Sequence, residues 1–218
     1  MSFAVHQKGR KADKRKLGFE PAAAAVSGFA PGGRIVGLTK GQFSLLHLIC
    51  ELVKITGPAD IVCATWSAGL YDASVMKQML DSGALTSFLL ITDRSYSTRQ
   101  KQYALSIEEA FGVDRIRTTN LHAKFVLISN DRFKICIRSS MNLNENKRCE
   151  NFDIDDDPEI FDFYKSFVDE IELHPAGFQE SRTVVDPLFD GLMGGGAPSD
   201  AKPKKAGFKF FDKNGNEI

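Results

Sequence analysis

Apolar positions in the middle of the chain keep two rhythms that take turns. Residues 34–38, 60–65 and 87–91 are apolar runs of strand length, and a shorter one lies near 115–118. Between them stand segments with helical spacing. The first carries Phe43, Leu45, Leu46, Leu48, Ile49 and Val53; the second covers 71–80 and stops at Gly83; the third is an amphipathic stretch over 98–111. Thr39 and Gln42, three apart, have the pattern of a capping box ahead of the first helix. Residues 122–128 and 132–137 then read as a β-hairpin turning at Ser129, Asn130 and Asp131. In its second arm Phe133, Ile135 and Ile137 alternate with Lys134 and Cys136. A strand over 152–154 follows. Asp157 and Pro158 supply the N-cap and first turn of a last helix over 159–171. Strands and helices in alternation predict an α/β sandwich.

The ends of the chain lack this patterning. Residues 1–32 read as a basic N-terminal arm, with Lys8, Arg10, Lys11, Lys14, Arg15 and Lys16 opposed by Asp13, then an Ala run at 22–25 that the sequence leaves undecided between helix and coil. Residues 33–180 are the expected catalytic domain. Residues 181–218 are a C-terminal linker and tail, Gly/Pro/Lys-rich at 193–206 and ending near Phe208, Phe210 and Phe211. Over all 218 residues, 28 basic and 28 acidic side chains cancel, so net charge names no partner. Cys50, Cys63, Cys136 and Cys149 have no CxxC spacing, which predicts reduced thiols rather than a disulfide framework or zinc site. No run approaches the roughly 20 apolar residues of a membrane span, and a soluble, cytoplasmic protein without membrane contact is the expectation.

Candidate chemistry concentrates between Leu121 and Phe152. His122 and Lys124 are two apart on the expected strand and so share a face, while Ala123, Phe125 and Leu127 take the other. A histidine and a lysine at the head of an apolar strand need a polar partner. Ser140 and Asn142, past the end of the hairpin's second arm, are placed across from them. The group offers a nucleophile, a fixed cation and neutral hydrogen-bond donors. Phosphoryl transfer needs this mixture, because its catalysis is positioning and charge neutralisation. A histidine nucleophile must be unprotonated on one nitrogen and oriented through the other, and Glu150 is the candidate that accepts its N–H.

The run His122-Ala-Lys124, Ser139-Ser140-Met-Asn142, Asn144 and Glu150 resembles the HKD motif of the phospholipase D superfamily. More weakly, residues 61–65 are similar to that family's preceding sheet strand, and the resemblance covers about residues 34–171. It implies a phospholipase D-like α/β sandwich with a mixed central sheet flanked by helices. It also implies a metal-independent phosphodiesterase, with no metal ion or cofactor, working through a phosphohistidine. Two positions depart from the pattern. Ser129 stands where the family's Asp falls, five residues after the Lys, and Ser139 stands where Gly is usual. The family's sites use two HKD motifs, whereas His47 and His174 have no Lys two residues on, and His6-Gln-Lys8 in the basic arm lacks the Ser-x-Asn that follows His122 and Lys124. The resemblance therefore implies a homodimer with the site at its two-fold interface, as in short single-motif nucleases.

Further along the same end of the expected sheet, Trp66 and Ser67 follow a buried strand, and Arg94, Tyr96, Arg99 and Lys101 follow the next. Trp66, Ser67, Arg94, Arg99 and Asn144 are the candidates for substrate binding, and a nucleic acid, DNA or RNA, is the expected partner. Gly32 and Gly37 imitate a P-loop, but Leu38 stands where its lysine belongs. Asp153, Asp155, Asp156, Asp157 and Glu159 read as a strand end and helix start rather than a metal site. Two other functions fit the residues: a nucleic-acid-binding module without catalysis, and a phospholipase acting on lipid head groups.

Overall fold

The structure, a computed structural model, describes residues 11–18, 20–145 and 147–173. The basic residues Lys8 and Arg10, His6, His174 and the tail over 181–218 lie outside the described residues. Eight strands form one mixed sheet in the order β1-β2-β8-β7-β6-β3-β4-β5. They are β1 (Asp13–Lys16), β2 (Arg34–Thr39), β3 (Ala59–Thr65), β4 (Leu85–Asp93), β5 (Ile116–Thr119), β6 (Phe125–Ser129), β7 (Lys134–Ser139) and β8 (Glu150–Asp156). The helices are α1 (Ala22–Val26), α2 (Leu45–Thr56), α3 (Leu70–Asp81), α4 (Arg94–Arg99), α5 (Lys101–Phe111) and α6 (Pro158–Leu173). The α/β sandwich with a mixed central sheet and flanking helices is thus observed.

Strands β1 with β2, and β3 with β4 and β5, pair in parallel; β2, β8, β7, β6 and β3 pair antiparallel in turn. Only β6 and β8 therefore run against the rest. Both faces of the sheet centre are buried, which is why residues 125–128 are apolar without alternation. One face carries Ile35, Ile61, Val126, Ile137 and Ile154 against α1, α2, α3 and α5. The other carries Ala64, Phe125, Leu127 and Cys136 against Ile160, Phe161, Val168 and Ile171 of α6.

Four sequence expectations need correction. Residues 13–32 are not a separate arm: β1 extends the sheet, α1 resolves the Ala run as helix, and Ala25, Val26 and Phe29 are buried. Arg15 fixes this segment by donating to the carbonyls of Ala24 at 2.8 Å and Ser27 at 2.7 Å. The capping box of α2 is not made by Thr39 and Gln42. Ser44 is the N-cap, and its N–H donates to His47 Nδ1 at 3.0 Å, so a histidine fills the usual Glu/Gln role. The helix expected over 98–111 is two helices broken at Gln100, where the backbone leaves the helical region (φ −133°, ψ 54°). Finally, the hairpin strand begins at Phe125, so His122 and Lys124 precede it; one further ladder bond, Ser139 N–H to the Lys124 carbonyl at 3.1 Å, ties them to β7.

The acidic run has ordinary structural work. Asp155, fully buried, pairs with Arg34 and Arg138 of the neighbouring strands. Asp156 accepts the N–H groups of Gly32 at 2.6 Å and Lys134 at 2.7 Å. Asp157 caps α6 through Glu159 N–H at 2.8 Å, as expected from its sequence. Gly37 is not part of a phosphate loop: the ring of Phe152 lies over it, and an added Cβ would stand 2.0 Å from Cζ. The four cysteines are free thiols; Cys63 and Cys136 are buried, which pushes both thiols up to about 12.

Candidate active site

Strand direction brings the candidates to one end of the sheet. His122 and Lys124 precede the reversed β6, Ser140 and Asn142 follow β7, and Glu150 opens the reversed β8. Trp66 and Ser67 follow β3, and Arg94 follows β4, at the same end. This is the carboxyl end of the parallel strands, where loops of an open α/β sheet collect ligands.

Lys124 Nζ donates to the His122 carbonyl at 2.8 Å and stands 3.5 Å from each ring nitrogen of His122. The pair is thus assembled as the spacing predicts, though by a loop rather than a strand. Burial lowers the Lys124 ammonium below the ordinary lysine value, and the nearby Glu150 carboxylate opposes that shift. Glu150, expected to receive the His122 N–H, receives the hydroxyl of Ser140. Ser140 also accepts the Asn151 N–H at 3.0 Å, so its hydroxyl is fixed at the start of β8.

Thr65, the last residue of β3, organises the loop after β7. Its buried hydroxyl accepts the Leu143 N–H at 3.0 Å and donates to the Ser67 carbonyl at 2.8 Å; Asn142 Oδ1 lies 3.4 Å away. Gly69 N–H donates to the Leu143 carbonyl at 2.7 Å. Ser67 and Asn144 meet each other, Nδ2 to Oγ at 3.2 Å, and Ser67 is buried. From the other side, Gly41, at φ +85°, lets the chain at Lys147 and Arg148 approach so closely that an added Cβ would lie 2.5 Å from the Lys147 carbonyl carbon.

The remaining candidates divide. Arg99 lies over the Trp66 ring with Cζ 3.7 Å from its centroid, and the ring centroids of Trp66 and His122 are 6.0 Å apart at 58°. Arg94 opens α4 half-buried, and Lys101 is exposed at the start of α5. Tyr96 does not face a ligand groove: it is buried and donates to the Ala68 carbonyl at 2.8 Å, and burial pushes its hydroxyl up to about 12.

One residue absent from the sequence reading connects these groups. Asp93, the N-cap of α4, accepts the N–H of Leu121 at 2.9 Å on one carboxylate oxygen. Its other oxygen takes the Ser95 N–H at 2.9 Å and the Ser95 hydroxyl. Ser95 Oγ in turn accepts from Arg99 Nε at 3.0 Å. Burial works to raise the Asp93 carboxyl, but the hydrogen bonds from Ser95 and Leu121 prevail and hold it below its ordinary value. The signal was an Asp-x-Ser at the end of an apolar strand, an N-cap pattern masked by the polar residues 93–98.

Among the described residues no three His, Cys, Asp or Glu side chains are grouped to hold a metal ion, and no helix is long and apolar enough to cross a membrane. No family model matches the sequence, and no curated protein matches it. Among solved structures, the chain is similar to Nuc from Salmonella typhimurium, a phospholipase D family member, at a TM-score of 0.44 and 12% identity, over 64% of this chain and 91% of that one. It is also similar to polyphosphate kinase from Porphyromonas gingivalis, at a TM-score of 0.46 and 16% identity, over 62% of this chain and 25% of that one.

Proposed function

We propose that the protein is a metal-independent phosphodiesterase that cleaves nucleic acid, with His122 as nucleophile. The observation that carries this reading is the contact of Lys124 with His122, at the end of the sheet where β7 finishes ahead of Ser140 and Asn142 and where Glu150 opens β8. A ring nitrogen of His122 attacks phosphorus, a P–N bond forms, and the bond to one ester oxygen breaks. A second histidine gives that oxygen its proton. Water then attacks phosphorus, its proton passes to the second histidine, and the P–N bond breaks. Lys124 and Asn142 hold the non-bridging oxygens. Glu150 fixes Ser140 and the ammonium of Lys124, in addition to the orienting role expected of it. Ser67 and Asn144, joined to each other, keep the loop in place, while Arg94 and Arg99 supply charge for the substrate backbone.

The second histidine is His122 of another copy, so the active unit is a homodimer with its site on the two-fold axis. The test is cleavage of labelled single- and double-stranded DNA and RNA in EDTA by the wild type and by His122→Ala. Chelator-resistant cleavage by the wild type and none by the variant supports the reading. Cleavage undiminished in the variant overturns it. Retention of nucleic acid without cleavage by either protein replaces it with a binding module, and activity on lipid vesicles alone replaces it with a phospholipase.

A further inference from the structure

We infer that Trp66 is a platform on which an unpaired nucleobase stacks beside His122, and that Arg99 occupies the platform and exchanges places with the base. The inference rests on the nuclease reading of His122 and narrows its substrate to a polynucleotide with an unpaired base next to the cleaved phosphate.

Trp66 is not a core residue. It is half-buried, belongs to neither apolar cluster, and has a guanidinium and an imidazole as its ring neighbours. A tryptophan held among polar, charged groups at the mouth of a sheet is costly to keep for packing alone, and its flat face is the feature that a base uses. Arg99 marks the open face of the ring: its Cζ lies 3.7 Å from the ring centroid, at the spacing of a stacked base. The hold is weak enough to give way. Arg99 is exposed, its Nε donates to the neutral hydroxyl of Ser95, and its remaining attraction is to the charge of the Asp93 carboxylate. Once displaced, the guanidinium has a phosphate to meet, where a charge-assisted bond is stronger than the one it leaves.

Position supplies the rest. The His122 ring is 6.0 Å from Trp66, a gap that a single nucleotide bridges from base to phosphate. The platform and the nucleophile also share one support. Asp93 holds Leu121, the residue before His122, and through Ser95 it holds Arg99. A base inside a duplex has both faces covered by its neighbours and cannot make this stack without being unpaired.

Trp66 is the only tryptophan in the chain, so its fluorescence reports the stack directly. The probes are a single-stranded DNA oligonucleotide, an abasic oligonucleotide of equal length and charge, and a blunt duplex, each titrated into the full-length His122→Ala protein. Anisotropy of a dye on each probe measures binding separately. The expected result is quenching by the single strand and none by bound abasic strand or duplex. In the otherwise wild-type chain, Trp66→Ala lowers kcat/KM on the single strand by roughly 5- to 150-fold, the range for one lost base–aromatic stack. Trp66→Phe, which keeps a flat ring, restores most of that loss, and a loss left in full would contradict stacking. Equal quenching by the abasic strand, or binding of the single strand without quenching, overturns the platform. Quenching together with cleavage that survives His122→Ala keeps the platform and removes the nucleophile. Absence of binding by all three probes overturns both.

Discussion

At the scale of single residues, the candidate chemistry turns on how Lys124 keeps its charge. Burial lowers its proton affinity and Glu150 raises it. A lysine lowered below 10.5 loses its proton, and with it the charge that stabilises phosphoryl oxygens, at a lower pH than an ordinary lysine. The alkaline limb of kcat/KM is therefore expected below the ordinary lysine range. Glu150→Gln should move that limb to still lower pH, because the raising influence goes with the carboxylate. A limb unmoved by Glu150→Gln would remove Lys124 from the reaction. Lys124→Ala should cost about 10²–10³ in kcat, the usual loss for one electrostatic donor.

Asp93 makes the opposite kind of test. Its carboxyl is lowered in the folded state, so its contribution to stability is complete above the ordinary value of 3.8 and disappears as pH falls through the lower folded value. Urea unfolding between pH 5 and the acid side of that range should show a loss in the wild type that Asp93→Asn lacks. Parallel pH profiles for the two proteins would contradict it.

The residues that carry the candidate chemistry were legible because HxK and Ser-x-Asn are patterns of residue type at fixed spacing. Their partners were less so. Glu150 was expected on His122 from residue type alone, and its bond from the Ser140 hydroxyl depends on how β7 and β8 pair. Asp93 and Thr65 escaped because a strand-end carboxylate and a strand hydroxyl look ordinary until the fold brings residues 28 and 78 positions away against them.

At the scale of elements, three strands are tied at one point. Asp155 on β8 is completely buried between Arg34 on β2 and Arg138 on β7. Removing a buried carboxylate leaves its cationic partners uncompensated, so Asp155→Ala is expected to destabilise the fold by about 3–5 kcal/mol, read from urea unfolding. A loss below about 1 kcal/mol would show that solvent reaches both arginines well enough to replace the carboxylate.

Element types were largely readable from periodicity, while element ends were not. The β1–α1 segment was missed because its strand is a charged edge, paired on one side, with too few apolar side chains to register as a strand. The α2 cap moved because His47 does what Gln42 was expected to do. The break at Gln100 has no glycine or proline to announce it.

At the scale of the whole molecule, antiparallel β6 and β8 set among otherwise co-directional strands gather the loops of the candidate site at one end of the sheet. This was predictable only in part. The hairpin was readable, but the place of β8 between β2 and β7 depends on pairings far apart in sequence. A site that needs two copies of His122 predicts dimeric mass in solution. It also predicts that mixing and re-equilibrating wild type with excess His122→Ala lowers activity below the dilution line, because mixed dimers hold one histidine. Monomeric mass with full activity, or activity that follows dilution alone, would show that one chain suffices.

The nucleophile itself is most directly tested by trapping. In EDTA, wild-type protein mixed with a single-stranded oligonucleotide and quenched in alkali, where a phosphoramidate survives, should gain the mass of the cleaved fragment. Peptide mapping should place the adduct on His122. Cleavage that proceeds with no adduct, or with the adduct on another residue, would contradict His122 as the attacking group.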